Sequence, residues 1–82
     1  MNIYDLTDGM SFKILKVKLN GEIGKRLSDM GFIKNAVGHI VRSALFGDPI
    51  EINLNGCNLS LRKLEAEGVD VEIVQKETDS LK

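Results

Sequence analysis

His39 and Cys57 are the only histidine and the only cysteine in the chain, so they are also its only soft metal ligands. A specific iron or zinc site needs three or four donors held by further hydrogen bonds, and these two fall on different predicted strands. We therefore assign no metal site and no cofactor, and read Cys57 as a small core residue. The same scarcity leaves no catalytic residues to name. There is also no glycine run after a strand to cradle a phosphate, so the chain reads as a non-enzyme.

What chemistry remains is contact chemistry. Leu45 and Phe46 are adjacent large apolar residues in the loop from Ala44 to Pro49, where polar tips are usual. Exposed apolar surface of that kind marks a contact site. The competing reading folds Phe46 back to plug the end of a barrel. Arg26 flanks the apolar residues of a helix, either as a charge facing a partner or as a stem shielding the core. Gly47-Asp48-Pro49 reads as a turn, since glycine permits positive φ, aspartate holds a local turn and proline fixes the exit.

The elements that position these residues are legible from spacing. Ile3 and Leu6 anchor an extended N-terminal segment that closes one sheet edge, and Asp8-Gly9 signals a turn. Phe12 to Val17 reads as a strand with Phe12 and Ile14 on one face. Asn20 is a competent N-cap for a helix running to Met30, with Ile23, Leu27 and Met30 as its inward stripe. The Glu22/Arg26 and Lys25/Asp29 spacings predict weak pairs along it. Gly31 stops that helix by reaching a left-handed backbone, and Phe32 drops its ring back onto the last turn.

Lys34-Asn35 reads as a turn, and Val37 to Ser43 as the second strand. Gly38 marks a bulge or a close backbone approach, and His39 points to the opposite face. Asn55-Gly56 between alternating segments is the preferred pair for a two-residue hairpin. Cross-strand partners then have numbers summing to 111, which sets Leu54 opposite Cys57, Ile52 opposite Leu59 and Ile50 opposite Leu61. Arg62 to Ala66 gives one helical turn stopped by Gly68, and Val69, Val71 and Ile73 alternate in a last strand. Lys76 to Lys82 reads as a frayed tail, leaving residues 1–75 as the domain.

Composition narrows the function. Eighty-two residues suit one small core. No apolar run is long enough to span a membrane, no signal-peptide order is present, and the single cysteine suits a reducing compartment, so a cytoplasmic protein without direct membrane insertion is expected. A formal net charge of -1 and an aromatic content of 5% speak against a nucleic-acid binder. The low aromatic content also weakens a groove for proline-rich peptides. Five short strands with one short helix between the first two favour a mainly β fold, a small SH3-like barrel that hides its edges; an open α+β sheet is the alternative.

Four blocks follow one another along the chain: Leu6 with Gly9, then Arg26-Leu27-x-x-Met30-Gly31-Phe32, then Gly47-Asp48-Pro49-Ile50, and finally Leu59-x-Leu61-Arg62 with Glu65-Ala66. In these blocks and their order the chain resembles the FeoA family of bacterial ferrous-iron transport accessory proteins. The resemblance covers Leu6 to Val71. Lys34-Asn35 replaces the family's Pro-Gly, and Gly38 stands where a β-branched residue is usual. The resemblance implies an SH3-like barrel and a non-enzymatic partner of the FeoB membrane iron permease, acting on its cytosolic part. Leu45, Phe46, Arg26 and Met30 are the candidate partner-binding residues. A metal-binding or metal-sensing domain, and a free-standing peptide-binding barrel, are the rival readings; the oligomeric state stays open.

Overall fold

The computed structural model describes residues 1–43 and 46–74. A short 3-10 turn (Ile3–Asp5) precedes β1 (Ser11–Val17), α1 (Gly21–Asp29), β2 (Val37–Ser43), β3 (Ile50–Leu54), β4 (Cys57–Leu61), α2 (Lys63–Glu67) and β5 (Val69–Ile73). The strands form one antiparallel sheet in the order β4-β3-β2-β1-β5. Register shifts between Ile14 and Lys16 and between Ile40 and Arg42 bend β1 and β2. Such irregularities increase local twist, which lets a five-stranded sheet wrap around one core as a small SH3-like barrel.

The core follows strand alternation. Phe12 and Ile14 of β1, Ile40 of β2, Ile50, Ile52 and Leu54 of β3, Leu61 of β4, and Val69 and Val71 of β5 are buried together with Ile3, Leu6, Leu27, Phe32 and Ala66. The hairpin register is the one the Asn55-Gly56 turn demands: Leu54 faces Cys57, Ile52 faces Leu59 and Ile50 faces Leu61. Both turn residues have positive φ, 54° at Asn55 and 87° at Gly56. Asn35, at φ 75°, makes the earlier turn in the same way.

Gly38 is a close approach rather than a bulge. A Cβ there would stand 2.5 Å from the Asn53 carbonyl oxygen and 3.0 Å from the Phe12 ring. A β-branched residue has no room where β2 lies this tightly over β3 and the Phe12 side chain. The irregularity of β2 falls two residues later.

The end of α1 is a full Schellman closure. The Phe32 amide donates to the Leu27 carbonyl at 2.9 Å and the Gly31 amide to the Ser28 carbonyl at 3.0 Å, with Gly31 at φ 103°. Phe32 is buried beside Leu27 in the core.

Several expectations are corrected. Ile23 is 47% exposed, so it does not belong to the inward stripe of α1. The helix instead turns Gly24 toward the preceding chain, where a Cβ would meet the Leu19 carbonyl oxygen at 2.3 Å. The inward side of α1 therefore runs from the half-buried Gly24 to the buried Leu27, whereas hydrophobicity alone points to the neighbouring Ile23. Asn20 occupies the N-cap position but its side chain makes no capping bond. Cys57 is exposed, not a core residue: it adjoins the exposed Asn55-Gly56 turn, at the end of β4 farthest from the buried Leu61. Gly68 follows α2 at φ -92°, so positive φ is not its reason. It leaves room for Leu19, whose side-chain carbons would lie within 2.8 Å of a Cβ there. The N-terminal segment is a 3-10 turn rather than extended, although Met1 and Asn2 do lie along β5: the Val71 amide donates to the Met1 carbonyl, and Asn2 bridges to Asp70.

Candidate functional site

The loop between β2 and β3 is fixed by residues far away in sequence. Gly47 has φ 80°, and a Cβ on it would come within 2.8 Å of the Tyr4 hydroxyl, so the loop backbone rests on that ring's edge. Asp48 does not merely hold a local turn. Its Oδ1 accepts a 3.0 Å hydrogen bond from the Lys63 amide, one of the donors that the start of α2 leaves without an intrahelical partner. The Lys63 ammonium in turn stands 5.2 Å from the centre of the Tyr4 ring, within cation–π range. The loop, the N-terminal turn and the start of α2 thus converge on one cluster: Tyr4, Gly47, Asp48 and Lys63.

Phe46 projects from this mooring at 89% exposure, so it is not a plug for the barrel end. Leu45, its predicted companion, lies outside the described residues, as does the predicted tail. Leu64, next to Lys63, is 78% exposed. Sequence reasoning passed over Leu64. The signal was available, because in a helix as short as α2 only the row containing Ala66 reaches the core.

Arg26 reaches across to α2. Its guanidinium pairs with Glu65 Oε2, while Glu65 Oε1 accepts the Arg62 amide at 3.0 Å. Glu65 is the only charged residue among the buried ones described, and it uses both oxygens: one closes the first turn of α2, the other ties that helix to α1. Burying a carboxylate is costly unless it is paired and hydrogen-bonded, and here it is both. The predicted pairing of Arg26 with Glu22 along α1 gives way to this longer-range contact. Arg26 keeps 58% of its side chain exposed, so it remains available at the surface.

Met30 is half-buried against the core at the end of α1. Next to it, Gly31 lies against Asn55 and Leu54, a Cβ there standing 3.5 to 3.6 Å from their side chains. That is the hairpin end of β3, whereas Phe46 belongs to the other end, roughly 13 Å away at about 3.3 Å per residue. The structure therefore joins Arg26 to the loop through α2, and sets Met30 apart. His39 and Cys57 are not brought together: His39 faces away from the core, opposite to Gly38 and Ile40, while Cys57 shares the side of Leu54. Among the described residues no three His, Cys, Asp or Glu side chains gather as a metal site would require. Among them, too, no helix is long and apolar enough to cross a membrane.

The FeoA domain family matches residues 1–73. The Fe(2+) transport protein A/Fe(2+) transporter FeoB fusion protein of Porphyromonas gingivalis is 29% identical over 98% of this chain. The chain spans only 10% of that relative's length. The solution structure of the FeoA protein from Chlorobium tepidum superposes with a TM-score of 0.86 at 35% identity, covering 95% of this chain and 75% of that one. The crystal structure of Stenotrophomonas maltophilia FeoA complexed with zinc, described as a prokaryotic SH3 domain protein, gives a TM-score of 0.79 at 26% identity over 88% of this chain and 89% of that one.

Proposed function

We propose that this chain, which belongs to the FeoA domain family, is a small non-enzymatic accessory protein of ferrous iron uptake. It works in the cytoplasm by binding the cytosolic part of a FeoB-type permease. The observation that carries the reading is the fused relative, in which a module matching nearly the whole of this chain is covalently joined to the transporter. Fusion raises the effective concentration of one module beside the other, which is useful when the two must meet. Covalent linkage only brings the two modules near each other, and the contact itself must come from surface chemistry.

The moored loop suits such a contact. Phe46 is a large aromatic side chain held out by a backbone that is already fixed on Tyr4 and Lys63. A preset anchor loses little freedom on docking, and interface energy is concentrated in a few such side chains. Arg26, beside α2, supplies a charge at the edge of the same surface. Immobilised protein should capture the purified cytosolic part of the permease, and failure to capture it at micromolar concentrations would overturn the proposal. The rival metal-binding role is separated by titration with ferrous iron: stoichiometric binding at micromolar affinity or better would favour it.

A further inference from the structure

The two edges of the sheet are finished differently. Beyond β5, the Met1 carbonyl accepts from the Val71 amide and Asn2 bridges to Asp70, so the N-terminus covers that edge. Beyond β4, no strand follows in the sheet order, and among the described residues no backbone bond satisfies the outward groups of Asn58 or Ser60. In an antiparallel hairpin closed by a two-residue turn, Cys57, Leu59 and Leu61 direct their amides and carbonyls to β3, so those of Asn58 and Ser60 point out. Exposed edges are normally blunted by lysine, proline or a bulge. β4 reads Cys-Asn-Leu-Ser-Leu and carries none of these.

We propose that this edge is a self-association surface, on which a second copy of the chain adds its own β4 antiparallel to the first. The strand is self-complementary about Leu59. With the two-fold axis there, Asn58 stands opposite Ser60 of the other copy and exchanges both amide-to-carbonyl bonds with it, and the symmetry repeats the exchange. Asn58 and Ser60 then lie together on the polar outer face. On the other face Leu59 meets Leu59, and the exposed Cys57 meets Leu61. Arg62 and Lys63 fall opposite the uncharged Gly56 and Asn55, so no like charges oppose each other. Shifting the register either way leaves a strand residue facing the turn or a cation facing the strand. Two sheets become one continuous sheet through main-chain bonds, the usual mode of strand addition. One strand pair is a small interface, so the dimer forms on concentration and dissolves on dilution.

The register makes a test that weak binding does not defeat. Opposed residues of a non-hydrogen-bonded pair lie about 4.5 Å apart at Cα, within the reach of a disulfide. Full-length Cys57→Ser/Leu59→Cys should cross-link to a dimer on mild oxidation, whereas the native protein should not, since the register holds its Cys57 side chains well apart. Adding Ser60→Pro to the double variant should abolish the cross-link with the melt preserved, because that amide points outward and takes no part in the β3 ladder. Amide exchange at Asn58 and Ser60 in the native protein should slow as protein concentration rises. A folded double variant that stays monomeric, or a cross-link that survives Ser60→Pro, overturns the proposal. So does protection that is independent of concentration, which would place residues 75–82 of the same chain on the edge, or protection that appears only on adding the permease's cytosolic part.

Discussion

Two turns bracket β3, and they are built on opposite principles. The Asn55-Gly56 turn at one end is local: both residues take positive φ, the Gly56 amide donates to Asn53 Oδ1 at 3.2 Å, and Asn53 Nδ2 donates across to Asn58 Oδ1 at 2.9 Å. Every contact lies within five residues. The Phe46–Pro49 loop at the other end takes its shape from Tyr4 and Lys63, the latter 15 residues from Asp48. One turn is specified by the two residues in it, and the other by elements that must already be folded. The proposed contact surface gains from the second arrangement, because the fold itself holds the loop in one shape.

The comparison is broken most forcefully at the local turn. Asn55→Val with Gly56→Val should cost roughly 3 kcal/mol, since β-branched residues are strained at positive φ at both positions. A thermal melt with secondary-structure detection measures it, and a loss well under 1 kcal/mol would remove the local account of the hairpin.

Glu65→Ala comes next. It withdraws the acceptor of the Arg62 amide and the partner of Arg26 in one step. Arg26 is more than half exposed and returns to water readily, so the loss is about 2 kcal/mol rather than the larger penalty of a stranded buried charge. Chemical denaturation would check this, with Glu65→Gln expected to keep part of the stability through its remaining carbonyl oxygen.

Asp48→Ala should be milder, about 1 kcal/mol, in line with the removal of a helix-capping side chain. Its sharper consequence is local. Amide exchange at Lys63 should accelerate while exchange at Asn55 and Gly56 stays unchanged, because the mooring of one turn does not reach the other. Parallel acceleration at both ends of β3 would contradict the separation.

These contrasts explain what was legible in the sequence. The register from Ile50 to Leu61 could be read because alternation and turn chemistry act over neighbouring residues, and a slip by one would invert every side chain. The stop at Gly31 could be read because the Schellman closure is confined to one helix end. Arg26 with Glu65 could not, since 39 residues separate them and the helix offered nearer acids. The role of Asp48 was hidden for the same reason. Cys57 and Ile23 were misplaced for a different one: spacing tells which side of an element a residue is on, but not whether the core extends that far. At Cys57 the strand has reached the exposed turn, beyond the core, and at the start of α1 a glycine takes the inward position.

The smallest effect on stability should accompany the largest effect on function. Phe46→Ser changes a side chain that is 89% exposed, and exposed substitutions away from special backbone positions usually stay within about 0.5 kcal/mol. The loop should keep its shape, because Gly47, Asp48 and Pro49 are untouched and the Asp48 to Lys63 bond does not involve the ring. Lys63 amide exchange would therefore match the native protein. If the ring is the docking anchor, its removal should abolish capture of the permease's cytosolic part and reduce iron uptake in cells to the level of a strain lacking this protein. Phe46→Leu should retain partial capture, since an aliphatic group still fills much of an aromatic pocket. Undiminished capture by a folded Phe46→Ser protein would sink the anchor and move the interface toward Leu64 and Arg26, which are also exposed.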